Sequence, residues 1–154
     1  MMGAGRESVH ENNLFFACSV IEVIGRNRKN RRGEIVKKLG REEIVKLVEL
    51  ADVLHCEPID ATANRLIAKH AIVKGNYDNI TKCKYTVPTH FDIAKVYKRL
   101  IANVSEFQNL PFEEAIMTVY SSWISEKIDD YNSSMYYENP GYLFESYKAG
   151  KALY

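Results

Sequence analysis

Few residues of this chain are placed to do chemistry, and the segment Thr86-Val87-Pro88-Thr89-His90-Phe91-Asp92 holds the best-placed of them. It sets an imidazole (His90) and a carboxylate (Asp92) in the first turn of a predicted helix, where outward backbone N–H groups can receive an anion. An enzyme with an anion pocket at His90 and Asp92 is therefore one reading. The same pair is also ordinary helix-start chemistry, with Asp92 favoured by the helix dipole and Thr89 by its capping hydroxyl, and that plainer reading carries more weight. His55-Cys56, His70, Cys83 and His90 could in principle supply metal ligands. Zinc sites present tight pairs such as Cys-x2-Cys, whereas the one close pair here is adjacent in sequence, and adjacent side chains diverge on a helix. We expect no metal and no cofactor. Phosphate-binding loops, dinucleotide-binding glycines and a Gly-x-Ser-x-Gly elbow are absent, so a non-catalytic role is the favoured reading and the enzyme reading stays open.

Charge is the more informative signal. Between Arg26 and Arg41 the sequence RNRKNRRGEIVKKLGR packs eight Lys/Arg against one acid, Glu34, while the remainder holds thirteen Lys/Arg against nineteen Asp/Glu. The formal net charge of +1 hides this polarity. A block of this kind steers encounter with an acidic partner. Its candidate contact residues are Arg26, Arg28, Lys29, Arg31, Arg32, Lys37 and Lys38. As a helix-turn-helix it would place the helix from Arg41 in a DNA groove, yet Glu42 and Glu43 would then face base edges and phosphates. Non-specific phosphate contact is the better nucleic-acid reading, although no aromatic residue is interleaved to stack bases. Docking on an acidic protein surface is favoured over both.

A second candidate surface lies near the C-terminus, where Tyr136, Tyr137, Tyr142 and Phe144 flank a short predicted helix that cannot easily bury them all. Aromatic rings with polar tips suit a partner-binding patch.

The elements that must position these residues are helical throughout. Asn13 to Gly25 is apolar on nearly every side, as a central helix would be, with Gly25 placed to end it. Asn30 can cap a short helix carrying Ile35, Val36 and Leu39 up to Gly40, and Ile44, Leu47, Val48, Ala51 and Leu54 mark an amphipathic helix over 41–54. Asp60 can cap a short helix ending near Lys69. Thr89 and Asp92 resemble a capping box ahead of Ile93, Val96, Tyr97, Leu100, Ile101 and Val104. Pro111 opens one helix reaching to about residue 131, and Asn139-Pro140 opens a last one ended by Gly150. The stretch 75–88 lacks a period and reads as a structured loop with room for a short strand pair. The expected fold is all-α, a single compact domain of six or seven helices over 13–154, behind a frayed tail over 1–12.

At 154 residues the chain can bury one substantial core. Three scattered cysteines do not make a disulfide framework and fit a reducing, cytoplasmic setting. No signal-like or membrane-spanning run is present. The order Phe15-Phe16, Ile21-Glu22, a basic loop, Val36 and Leu39, then Asp52-Val53-Leu54-His55 resembles a small uncharacterised bacterial domain family over about residues 14–56. That family tends to be encoded beside genes for ADP-ribosyltransferase-like proteins, in clusters like toxin–antitoxin or mobile-element modules. The resemblance implies a bacterial source and a protein-binding, adaptor or antitoxin-like role, and it brings no catalytic residue with it. The oligomeric state stays open.

Overall fold

A computed structural model describes the backbone of residues 2–153 and the side chains of residues 10–153. Among the described residues eight α-helices follow one another: α1 (Met2–Arg28), α2 (Arg32–Glu49), α3 (Ala51–Leu54), α4 (Ile59–Lys69), α5 (His90–Gln108), α6 (Phe112–Tyr120), α7 (Trp123–Asp129) and α8 (Pro140–Ala149). A 3-10 turn at Met135–Tyr137 precedes α8, and no strand occurs among the described residues. The fold is all-α. The loop expected over 75–88 is present without the strand pair, because its backbone bonds go elsewhere. Gly75 and Tyr77 donate to the carbonyls of Arg28 and Lys29, and Asn132 bridges Lys82 and Lys84.

Several punctuation signals act as their chemistry predicts. Thr89 and Asp92 form a reciprocal capping box at the start of α5, and Asn109 ends that helix in a left-handed conformation. Gly40 sits at φ +79 and kinks α2 into two parts, as the sequence expects. Asn139 caps α8 through the N–H of Gly141, and Gly150 at φ +76 ends it.

Other expectations are corrected. The helix α1 does not stop at Gly25 but runs to Arg28, and Lys29 at φ 52 turns the chain. It also begins before Asn13: His10, Glu11 and Asn12 are helical, and the rest of the tail expected over 1–12 lies outside the described side chains. Neither Asn30 nor Asp60 is a cap. Arg31 and Pro58 hold those positions, and the Asn30 amide instead donates to the Arg28 and Val73 carbonyls. The single helix expected from Pro111 is two, α6 and α7. Ser121 and Ser122 lie between them and turn their hydroxyls back onto the carbonyls of Met117 and Val119.

The helix α1 is central, packed by α2, α4 and α5. Its Leu14, Ala17, Cys18, Val20, Ile21 and Ile24 are fully buried, which explains why its apolar residues show no single stripe. Among them stands one equally buried carboxylate, Glu22. A charge in that position needs a partner, and the partner comes from the basic block.

Candidate functional site

Glu22 lies nearly two turns before the end of α1, and Arg32 is the first residue of α2. Between them the chain makes the tight reversal at Lys29, which brings the Arg32 side chain back across α1. It crosses at Gly25. A Cβ there would lie 2.3 Å from Arg32 Cδ, so glycine serves close approach here and not helix termination. The guanidinium, 0 % exposed, then meets the carboxylate as a fork: Nε donates to Oε1 and Nη2 to Oε2, both at 2.9 Å. Its remaining donors reach the Asn30 carbonyl at 2.8 Å and Asn79 Oδ1 at 3.3 Å.

Two further groups close the shell around Glu22. Arg26 donates to Oε2 at 2.8 Å, to the Pro88 carbonyl at 2.7 Å and to the Tyr131 hydroxyl at 3.1 Å, and the Tyr131 hydroxyl donates to Oε2 as well. Burial alone would raise the Glu22 carboxyl, but the charge and hydrogen bonds of Arg32, with Arg26 and Tyr131 behind them, outweigh it and hold it at about 2. Glu22 is a permanent internal anion.

A second carboxylate, Asp129 at the end of α7, borders the same guanidinium on less favourable terms. Its Oδ2 accepts only the backbone N–H of Arg32, at 3.3 Å, and its Oδ1 takes the Tyr97 hydroxyl at 2.5 Å, with Ser125 Oγ 2.8 Å from that hydroxyl. Burial pushes Asp129 up to about 7; the Arg32 charge opposes this and the Glu22 charge adds to it. Two buried carboxylates thus share one guanidinium, and Glu22 holds the fork. Burial and the neighbouring Asp129 likewise raise Tyr97 well above an ordinary phenol. Asn79 completes the circuit, donating to the Asp129 carbonyl at 2.8 Å. The network ties α1, α2, α5, α7 and the loop after α4 to one centre.

The network reaches two small clefts. Asn79 and Tyr131 line one of about 230 Å³ with Arg31, Tyr77 and Lys82, while Asp129 and Ser125 line another of about 180 Å³ with Arg31 and Ser122. The side chains of Glu22, Arg32, Asp129, Asn79, Tyr97 and Tyr131 all have protein partners. Their chemistry is mutual: they clamp helices and keep one titratable proton near neutrality.

This places the basic block differently from the sequence expectation. Arg32 is not a surface contact, and Arg26 is largely withdrawn from it, because each satisfies a buried carboxylate. Lys29 pairs with Asp78 at 3.3 Å, and Arg31 stands 4.7 Å over the Tyr77 ring and 3.8 Å from Glu126. Arg28 is half-buried. Lys37, 3.8 Å from Glu34, and Lys38 are the block's exposed lysines. Glu22, Asp129, Tyr97, Asn79 and Tyr131 were missed as site residues. The available signal was Glu22 itself, a lone acid in a helix apolar on every side.

The aromatic patch is also divided. Tyr136 packs edge-on to Tyr131 and Tyr137, and Tyr137 is 68 % exposed. Tyr142 donates to the Leu153 carbonyl, while Phe144 sits edge-on to Phe107 under the ammonium of Lys148. Asp92 is engaged in the capping box, and His90, its imidazole pKa lowered by burial and by Arg26, lies with its ring tilted 44° to that of Phe91, centroids 4.1 Å apart. Neither residue lines any of the cavities named here. No group of three or more His, Cys, Asp or Glu poised for a metal occurs among the described residues. No described helix is long and apolar enough to cross a membrane.

The fold and site define an all-α protein organised around an internal ion network. No protein-family model, no curated protein and no solved structure matches this chain.

Proposed function

We propose that this chain is a non-catalytic helical module that binds another protein, in an adaptor or antitoxin-like role of the kind its resemblance over residues 14–56 implies for a bacterial, cytoplasmic chain. The observation that carries the reading is the contrast between the two surfaces. The basic block spends its best-placed cations internally, whereas large apolar side chains stay outside: Val53 at 69 %, Phe107 at 59 %, Phe91 at 50 % and Tyr137 at 68 % exposure. Isolated apolar residues on a surface are ordinary; Phe91 counts for more because it borders a hollow that Phe15, Phe16 and Ile59 also line. The exposed cations Arg31, Lys37 and Lys38 lie outside that hollow, where charge governs encounter rate more than affinity.

Phosphate binding through the same block has less to work with. Arg31 and Lys37 are interleaved with Glu126 and Glu34, and each missing phosphate contact lowers both affinity and its salt dependence. Co-purification of the natively expressed protein with the products of neighbouring genes tests the protein-binding reading. A stoichiometric complex is expected; recovery as a free chain under several extraction conditions, together with retention on heparin at physiological salt, would reverse the preference.

A further inference from the structure

One apolar hollow of the structure is unrelated to the basic block. It is a groove of about 520 Å³ between α1, α3, the start of α4 and the first turn of α5. Phe15 and Phe16 from α1, Ile59 from α4 and Phe91 from α5 supply its apolar surface. Phe91 packs 5.9 Å from Phe15 and is nevertheless half exposed, so it forms a lip and not a plug.

The polar lining separates a small polar ligand from an apolar side chain as occupant. The Ser19 hydroxyl is turned onto the Phe15 carbonyl, His55 Nδ1 lies 3.0 Å from the Ala51 carbonyl, and Glu57 is held by Thr62 and Arg65 at 2.7 Å each. Those groups are engaged within the protein, and the remaining uncharged polar lining, the Asn12 and Asn13 amides, comes from a single turn of α1 and does not converge from several elements. A small-molecule site normally keeps a few convergent polar groups to orient its ligand. What this groove offers instead is shape, aromatic surface and negative charge, with Asp52 exposed on α3 and Glu57 in the turn after it. Among the described residues Asp52 makes no ion pair.

We propose that this groove is the docking site for an amphipathic helix of a partner protein, whose apolar stripe packs on Phe15, Phe16, Ile59 and Phe91 while a lysine or arginine of the same helix meets Asp52. The inference rests on the protein-binding reading above and names its face. Helix-in-groove recognition reads apolar anchors at i, i+3, i+4 and i+7, and a cation opposite an exposed carboxylate fixes register. The occupant is thus basic and apolar, the opposite in charge of the acidic partner that the basic block alone would select.

Selection of a random linear 15-residue peptide display library against the full chain tests this, with enriched peptides remeasured by fluorescence anisotropy. Peptides with apolar residues at helical spacing and a Lys or Arg are expected. Their affinity should fall at least tenfold in Phe91→Ala and in Asp52→Lys, and by less than twofold in Lys37→Glu/Lys38→Glu. Asp52 is exposed on α3, so Asp52→Lys guards against a variant that merely unfolds. Binding that survives both groove substitutions but is lost on reversing Lys37 and Lys38 would overturn the groove while sparing the protein-binding reading. Enrichment of acidic peptides, no saturable peptide, or a concentration-dependent dimer dissolved by Phe91→Ala would each overturn the inference.

Discussion

Arg32 and Asp129 make the residue-scale energetics concrete. Removing one partner of a fully buried ion pair strands the other, so Glu22→Gln should lower unfolding free energy by about 3–5 kcal/mol, measured from urea midpoints. Replacing both partners, Glu22→Leu with Arg32→Met, should cost less than either single change, because no uncompensated charge then remains. Asp129 gives the pH dependence. Its folded value, about 7, lies above the usual 3.8, so the stability it contributes is complete below about pH 4 and is lost as pH rises through 7. Glu22, held at about 2 against the usual 4.5, contributes stability that is present above about 4.5 and lost as pH falls through 2. Together they place the network's optimum at about pH 4–4.5. We expect the melting temperature to fall by several degrees between pH 5 and pH 8.5, reflecting roughly 2–4 kcal/mol, and Asp129→Asn to flatten that limb. A wild-type melting temperature unchanged across this range would contradict the assignment.

At the scale of elements, Gly25 shows how a local signal can be read correctly as a signal and wrongly as to purpose. Helix propensity alone says that Gly25→Ala inside α1 should stabilise by about 1 kcal/mol. The contact says otherwise, since the new Cβ would meet the Arg32 side chain at 2.3 Å and push it off Glu22. The contact dominates, and we expect about 3 kcal/mol of destabilisation by urea titration, with the helical circular-dichroism signal retained. Signals that act within a few residues were legible: the capping box at Thr89 and Asp92, the left-handed Gly40 and Gly150, and the period of α5 all depend on neighbours in the chain. The α6–α7 break was not legible, because it rests on two serine hydroxyls choosing backbone carbonyls over continued helix. Nor was the site, since Glu22 and Asp129 are over a hundred residues apart and meet only through the packing of α1, α2 and α7. A buried carboxylate on an apolar helix announces that a cation will come, and the sequence offered eight within the basic block without distinguishing Arg32 from Lys38.

For the whole molecule, charge polarity is strong along the chain and weaker in space. The block from Arg26 to Arg41 meets Glu22, Asp78, Glu126, Glu34 and Glu114 in turn, so its surplus is compensated locally and the outward field is smaller than the residue count implies. This divides the seven candidate cations into two physical kinds that one experiment separates. Arg31, Lys37 and Lys38 are exposed, with ion pairs of 3.8 Å at Arg31 and Lys37, and exposed pairs contribute about 0–1 kcal/mol. Reversing all three to Glu should leave the urea midpoint nearly unchanged while slowing association with any acidic surface. Reversing Arg32 alone would set three carboxylates around one buried point and should prevent stable folding. A block acting chiefly as a binding surface would give the contrary pattern, with Arg32→Glu folded and defective only in binding. Measured side by side, the two variants decide whether this stretch is primarily the molecule's internal clamp or its external anchor, and the fork between Glu22 and Arg32 makes the clamp the expected result.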